Sequence, residues 1–210
     1  MPKRDIRVIS HTTATNHRIV LRPDEPFPDE AFTQATAAMP DLVLVNAEGE
    51  RGAKAAAPAA LVRLEAYAGL MAAKPQFHDS WLKTLGELET SDPENAVVQA
   101  ALGHRDLEER KLAEAIVHLQ HAVRLDPLQT NAYVDLSEAQ DQSGLAEDAI
   151  ASAKRAVELD PFVATLQKTL VFRLINGKHY EDAVAAMEKY LENFPEDDFM
   201  RKMLSIAQQP

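Results

Sequence analysis

From about residue 60 to the end of the chain, apolar residues recur with the period of amphipathic helices rather than strands. Two such patterns, residues 132–142 and 147–159, are separated by Ser143 and Gly144, which are typical of a turn. Similar pairs of patterns precede and follow them. The sequence therefore predicts an all-α fold, an α-solenoid of antiparallel helix pairs.

A spacing of 34 residues runs through this helical region. Three series share it: Pro93, Pro127, Pro161 and Pro195; Ala115, Ala149 and Ala183; Leu102, Leu136 and Leu170. Proline cannot continue a helix, so each proline marks the end of a two-helix unit. Small residues such as Ala115 favour close approach of two helix backbones, because a bulky side chain would force them apart.

The spacing divides the chain into an irregular, loop-rich segment and linker at 1–59 and a repeat region at 60–208. The predicted units are 62–95, 96–129, 130–163 and 164–197, followed by a closing helix at 198–208 that Asp198 is expected to cap. In the first, degenerate unit Trp81 occupies the position that Ala115 holds in the next. Looser packing or an end-cap role is expected there.

One unit carries Leu102-Gly103, Ala115, Leu119, Ala122 and Pro127. This pattern resembles the tetratricopeptide repeat, and the units after it resemble it too. The resemblance implies a non-enzymatic scaffold for protein–protein interaction, which binds a peptide or partner protein in a concave groove lined by the first helix of each unit.

The groove positions that the resemblance implies are Arg63, Tyr67, Leu70, His104, Asn131, Asp135, Glu138, Lys168 and Phe172. The middle of this set is acidic, through Asp135, Glu138 and the nearby Asp141, and apolar residues stand on either side. A basic, amphipathic partner would complement such a surface. The alternative interpretation is an ordinary solvated face of an acidic helical protein.

The net charge of −11 disfavours nucleic acid as a partner, and no apolar run is long enough for a membrane span. Without cysteine the chain cannot attach haem c covalently, and no cofactor is expected in it. His118 and His121 lack a third ligand, so no metal site is predicted, and no paired carboxylates indicate an enzyme. As written, the chain is expected to be cytoplasmic.

The first twenty residues suggest an alternative function. Met1-Pro2-Lys3-Arg4, His11-Thr12 and Asn16-His17-Arg18 resemble the segment that follows a CxxCH haem-attachment motif in bacterial multihaem c-type cytochromes, some of which carry tetratricopeptide repeats. The resemblance implies the C-terminal part of a periplasmic or otherwise exported electron-transfer protein, with His11 and His17 as haem ligands and the haem-binding region upstream. The plainer interpretation is a short coil with surface histidines.

Overall fold

A computed structural model of the chain describes residues 59–71 and 74–208. Its α-helices are α1 (Ala60–Met71), α2 (His78–Ser91), α3 (Ala96–Glu108), α4 (Leu112–Leu125), α5 (Thr130–Gln142), α6 (Ala146–Leu159), α7 (Ala164–Asn176), α8 (Tyr180–Asn193) and α9 (Asp198–Ala207). A 3-10 turn at Pro75–Phe77 leads into α2. The described residues contain no strand, so the predicted all-α class is confirmed.

The helices form a stack of pairs. Each helix packs against the next one along the chain, and α3 also contacts α5, as α5 contacts α7. The first helices of the three regular pairs, α3, α5 and α7, therefore lie side by side. Buried apolar residues form three consecutive clusters along the stack, which is the arrangement expected of a solenoid whose units bury their faces against their neighbours.

Small residues set the distance between the two helices of a pair. A Cβ atom added at Gly103 on α3 would lie 2.4 Å from Leu119 Cγ and 3.2 Å from the Ala115 carbonyl oxygen on α4. One repeat later Ser137 takes this position, and its buried hydroxyl donates a 2.9 Å hydrogen bond to the Ala149 carbonyl. The predicted close approach of the two backbones is therefore present in both pairs.

The first pair packs around an aromatic side chain instead. Trp81 on α2 is 1% exposed and lies in a core with Leu64 and Leu85. Gly69, at the position equivalent to Gly103, has no neighbouring atom within 4 Å of an added Cβ. Gly69 is exposed, so the first pair does not need a small residue at this position, and its core is filled by the indole instead.

The turn inside each regular pair repeats one backbone geometry. Arg110, Gly144 and Lys178 all adopt left-handed conformations, with φ of 61°, 76° and 64°. The next residue then donates its amide to a carbonyl five positions back, as in the 2.9 Å bond from Leu145 to Gln140. This geometry closes the first helix by satisfying carbonyls that its last turn leaves free.

At the C-terminal end, α9 covers the last pair by burying Met200 completely. Its cap is Asp197, whose carboxylate accepts the Met200 amide at 3.0 Å, and not Asp198 as the sequence suggested. Asp197 also accepts the Tyr190 hydroxyl at 2.7 Å and lies 2.5 Å from Lys168 Nζ. These contacts, led by the ion pair with Lys168, hold the pKa of Asp197 well below its usual range.

Candidate functional site

A groove of about 860 Å³ opens between α1, α3 and α5. Its floor is mainly apolar, with Leu64 and Trp81 at one end and Ala132 at the other. The loops that lead into α5 and α7 contribute polar side chains to the rim. Four helices and two loops contribute to this lining, so the groove is an open surface rather than an enclosed cavity.

The rim of the groove is negatively charged. Four carboxylates line it, those of Glu65, Asp126, Asp135 and Asp160, and none of its described lining residues is lysine or arginine. Asp126 accepts the Leu128 amide at 3.0 Å and Asp160 accepts the Thr130 hydroxyl at 2.5 Å, so both are oriented by neutral donors that leave their charge in place. We call this surface the acidic groove.

His104 joins two of the helices that form the acidic groove. Its Nδ1 lies 2.8 Å from Asp135 Oδ2 on α5, and its Nε2 lies 3.8 Å from Glu108 on its own helix. The hydrogen bond to Asp135 raises the pKa of His104, and partial burial of the ring opposes this rise. The imidazole is thus a pH-sensitive contact within the groove.

Trp81 forms part of the groove floor and lies between two imidazoles. The His104 ring meets it edge-on and the His78 ring stacks on it, both with centroids 6.0 Å from that of Trp81. Among the residues described, the buried indole N–H has no hydrogen-bond acceptor. His78 also lies 3.3 Å from Glu108, so both histidines share this carboxylate.

The acidic residues in the middle of the predicted groove have an internal partner. Arg173 on α7, 8% exposed, contacts Glu138 directly and lies 2.9 Å from Asp141, while its Nε donates to the Ser137 hydroxyl at 3.0 Å. The pKa of Glu138 is lowered, first by the hydrogen bond from Gln142 and then by Arg173. Arg173 therefore offsets one of the two carboxylate charges in the patch that the sequence suggested would attract a basic partner.

The three positions predicted on α1, Arg63, Tyr67 and Leu70, lie outside the acidic groove. Tyr67 is 2% exposed and packs beside Phe77, with ring centroids 5.7 Å apart, so it belongs to the core. Arg63 instead donates to Glu87 on α2 at 2.8 Å, and Leu70 packs against the same core. None of the three lines the acidic groove, to which α1 contributes Leu64, Glu65, Ala68, Gly69 and Met71.

The remaining predicted positions fall into two groups. His104, Asn131 and Asp135 line the acidic groove together. Lys168 and Phe172 lie beyond it on α7, where Lys168 is paired with Asp197 and Phe172 faces a second aromatic ring on α9. Glu65, Asp126 and Asp160 also line the acidic groove but were not among the positions predicted from the sequence.

The histidines considered as ligands have other contacts or fall outside the described ranges. His118 Nδ1 lies 2.9 Å from Gln99 Oε1, and His121 lies 3.3 Å from Glu94. The part of the chain that the structure describes contains no group of three or more residues arranged to hold a metal ion. His11 and His17 lie outside the described residues.

Within residues 59–71 and 74–208, no helix combines the length and apolar character needed to cross a membrane.

Comparison with known sequences supports the repeat assignment. Residues 130–162 match the profile of the family described as Tetratricopeptide repeat, so the prediction of this repeat is confirmed. The chain is also similar to Superkiller protein 3 of Schizosaccharomyces pombe, with 36% identity over 98 residues, and to the Peroxisomal targeting signal receptor of Komagataella phaffii, with 34% over 82 residues. These matches cover 43% and 39% of this chain but only 7% and 14% of those proteins.

Solved structures share the fold. A crystal structure of the APC/C hetero-tetramer Cut9–Hcn1 matches with a TM-score of 0.59 at 14% identity, covering 71% of this chain and 30% of that one. A crystal structure of MamA matches with a TM-score of 0.52 at 19% identity, covering 64% and 88%. At such low identity the likeness establishes the helical-repeat architecture alone.

Proposed function

We propose that the chain is a non-enzymatic interaction scaffold that holds a segment of a partner protein in the acidic groove. The observation that carries this proposal is the groove itself, an apolar floor between α1, α3 and α5 under four carboxylates. Extended surfaces of this kind are what helical repeats offer to partners. One similar protein is by its name a receptor for a targeting signal, which supports recognition of a polypeptide.

The charge of the groove defines the chemistry of the partner. Glu65, Asp126, Asp135 and Asp160 surround the floor, and the described lining offers His104 but neither lysine nor arginine to offset them. A segment with lysine or arginine side chains would gain from this field, whereas an acidic segment would be repelled. Because the floor includes alanines and two valines, small apolar residues between the cations fit it best. The partner is therefore a basic, amphipathic segment.

The experiment compares two variants with the same change in net charge. Glu65→Gln with Asp160→Asn removes two groove charges, whereas Glu114→Gln with Glu192→Gln removes two exposed charges from the second helices α4 and α8. Binding of a fluorescein-labelled peptide of alternating lysine and alanine is measured by anisotropy. We expect the groove variant to bind about tenfold more weakly, since exposed or half-exposed charge pairs contribute about 0.2–1 kcal/mol each.

The control variant should bind the peptide as the unmodified chain does. Added salt should weaken peptide binding by the control variant and by the unmodified chain. Equal weakening by the two variants would show that net charge, and not the groove, attracts the peptide. Equal binding of a glutamate–alanine peptide would contradict the proposed partner chemistry.

A further inference from the structure

A second exposed surface, apolar rather than acidic, lies at the C-terminal end of the stack. Phe172 on α7 is 38% exposed, and its ring centroid lies 6.4 Å from that of Phe199 on α9, which is 55% exposed. Ile206, two turns further along α9, is 69% exposed. Aromatic and aliphatic side chains grouped in this way on a surface are typical of interaction sites. We call Phe172, Phe199 and Ile206 the aromatic patch.

The repeat register places the aromatic patch on the same side of the stack as the acidic groove. Phe172 lies two 34-residue intervals after His104, and Phe199 lies two intervals after Asn131. His104 and Asn131 both line the acidic groove. Ile206 stands one further interval after Phe172. Since α3, α5, α7 and α9 occupy equivalent places in their units, these residues continue one face from groove to patch.

The charges between the two surfaces are already paired. Arg173 contacts Glu138 and Asp141, and Lys168 contacts Asp197. The two cations offset two of the three carboxylate charges, so this middle section offers less unbalanced charge to a partner than the acidic groove does. Selective contacts are available on either side of this section, with the anionic acidic groove on one side and the apolar aromatic patch on the other.

We propose that the occupant of the acidic groove is a two-part segment, whose basic part lies in the groove and whose large apolar side chains rest on the aromatic patch. This inference rests on the proposed function and adds a second contact to it. Between the centre of the groove and the patch lie two steps from one first helix to the next, each about 8–10 Å. An extended chain rises about 3.3 Å per residue, so roughly six residues separate the two parts.

The test uses the full chain and three fluorescein-labelled synthetic peptides. One contains a basic block of alternating lysine and alanine, and the others join this block to a Leu-Phe-Leu block, either directly or through a six-residue Gly-Ser linker. A linker that spans both sites makes the second contact intramolecular, so we expect at least about tenfold tighter binding for the six-residue linker. The directly joined peptide is too short to reach the patch and should bind like the basic block alone.

Variants of the chain identify the surface responsible. Phe172→Ser with Phe199→Ser should remove the tenfold gain and leave binding of the basic block unchanged. Phe162→Ser is the matched control, because Phe162 is 76% exposed but lies in the loop between α6 and α7. Circular dichroism checks folding of the double variant, and Phe199→Ser alone, at a 55% exposed site, replaces it if the double variant is unfolded.

The two proposals fail in different ways. If the basic block binds but the six-residue linker gives no gain, or if the gain persists without the aromatic rings, the two-part occupant is wrong and the acidic groove stands as the binding site. If the basic block itself does not bind, the proposed function is wrong, and the two-part occupant falls with it.

Discussion

Two glycines at equivalent positions give opposite predictions for the same substitution. At Gly103 an added Cβ would lie 2.4 Å from Leu119 Cγ and 2.9 Å from its Cδ2, distances that side chains do not normally reach. At Gly69, one 34-residue interval earlier on the first helix of the preceding pair, an added Cβ meets no atom within 4 Å. We therefore expect Gly103→Ala to destabilise the fold and Gly69→Ala to stabilise it.

The magnitude follows from two terms. Replacing glycine by alanine within a helix stabilises it by about 0.5–1 kcal/mol, and this gain applies to both positions. Overpacking a tightly filled interface costs about 1–3 kcal/mol, and this cost applies to Gly103 alone. Relief at Gly103 is limited, because the Ala115 carbonyl oxygen on the facing backbone is also only 3.2 Å away. The free energies of unfolding of the two variants should therefore differ by about 1–3 kcal/mol.

The assay is urea denaturation of the full chain, followed by circular dichroism. Gly86→Ala on α2 provides a second control, because this glycine also has open space around its added Cβ. We expect Gly69→Ala and Gly86→Ala to unfold at higher urea than the unmodified chain and Gly103→Ala at lower urea. If Gly103→Ala matched the two controls to within about 0.5 kcal/mol, the close approach of α3 and α4 would be refuted, since overpacking costs more.

Two further perturbations test contacts between first helices. Arg173→Met leaves Glu138 and Asp141 without their cation. Urea denaturation should show that the free energy of unfolding falls by about 2 kcal/mol, which is less than for a fully buried pair because Glu138 is partly exposed. An unchanged midpoint would argue against the pairing. Because the hydrogen bond to Asp135 raises the pKa of His104, its protonation stabilises the fold fully below the unfolded pKa of 6.5, and this contribution is lost as the pH rises through the folded pKa. His104→Gln should therefore reduce the fall in unfolding free energy as the pH rises from 6.5 through the folded pKa, and an unaltered pH dependence would contradict this assignment.

The helix pairs could be predicted because their signals are local and repeated. The prolines from Pro93 to Pro195 mark the ends of units, and Gly144 marks a turn whose left-handed backbone the structure shows. The cap of α9 shows the limit of such signals. Asp197 and Asp198 carry the same carboxylate, and the extended backbone of Asp197, with φ −78° and ψ 93°, decides which of them caps the helix.

Tyr67 could not be placed by transferring positions from the regular units. In the first unit the connection between the two helices contains the 3-10 turn Pro75–Phe77, and Phe77 packs beside the Tyr67 ring. Trp81 stands at the position that the small residue Ala115 occupies in the next unit, and its large ring is buried there. These aromatic side chains build a different core, so the outward and inward positions of α1 do not follow those of α3.

The contacts of Arg173 with Glu138 and Asp141 could have been predicted from the repeat spacing, although not from charge composition alone. Residues on neighbouring first helices lie about one repeat apart, and Arg173 stands 32 and 35 residues after Asp141 and Glu138. The acidic groove was harder to predict, because Asp126 and Asp160 stand before prolines and read as turn residues. Their place on the rim depends on how the loops meet α5, which no local pattern encodes.

The position of Trp81 gives the acidic groove an optical reporter. It is the single tryptophan of the chain, and it lies in the groove floor between the rings of His78 and His104. Its intrinsic emission therefore originates at the site where a partner is proposed to bind. Because the ring forms part of that floor, occupancy of the groove can be followed by unlabelled fluorescence in the unmodified protein.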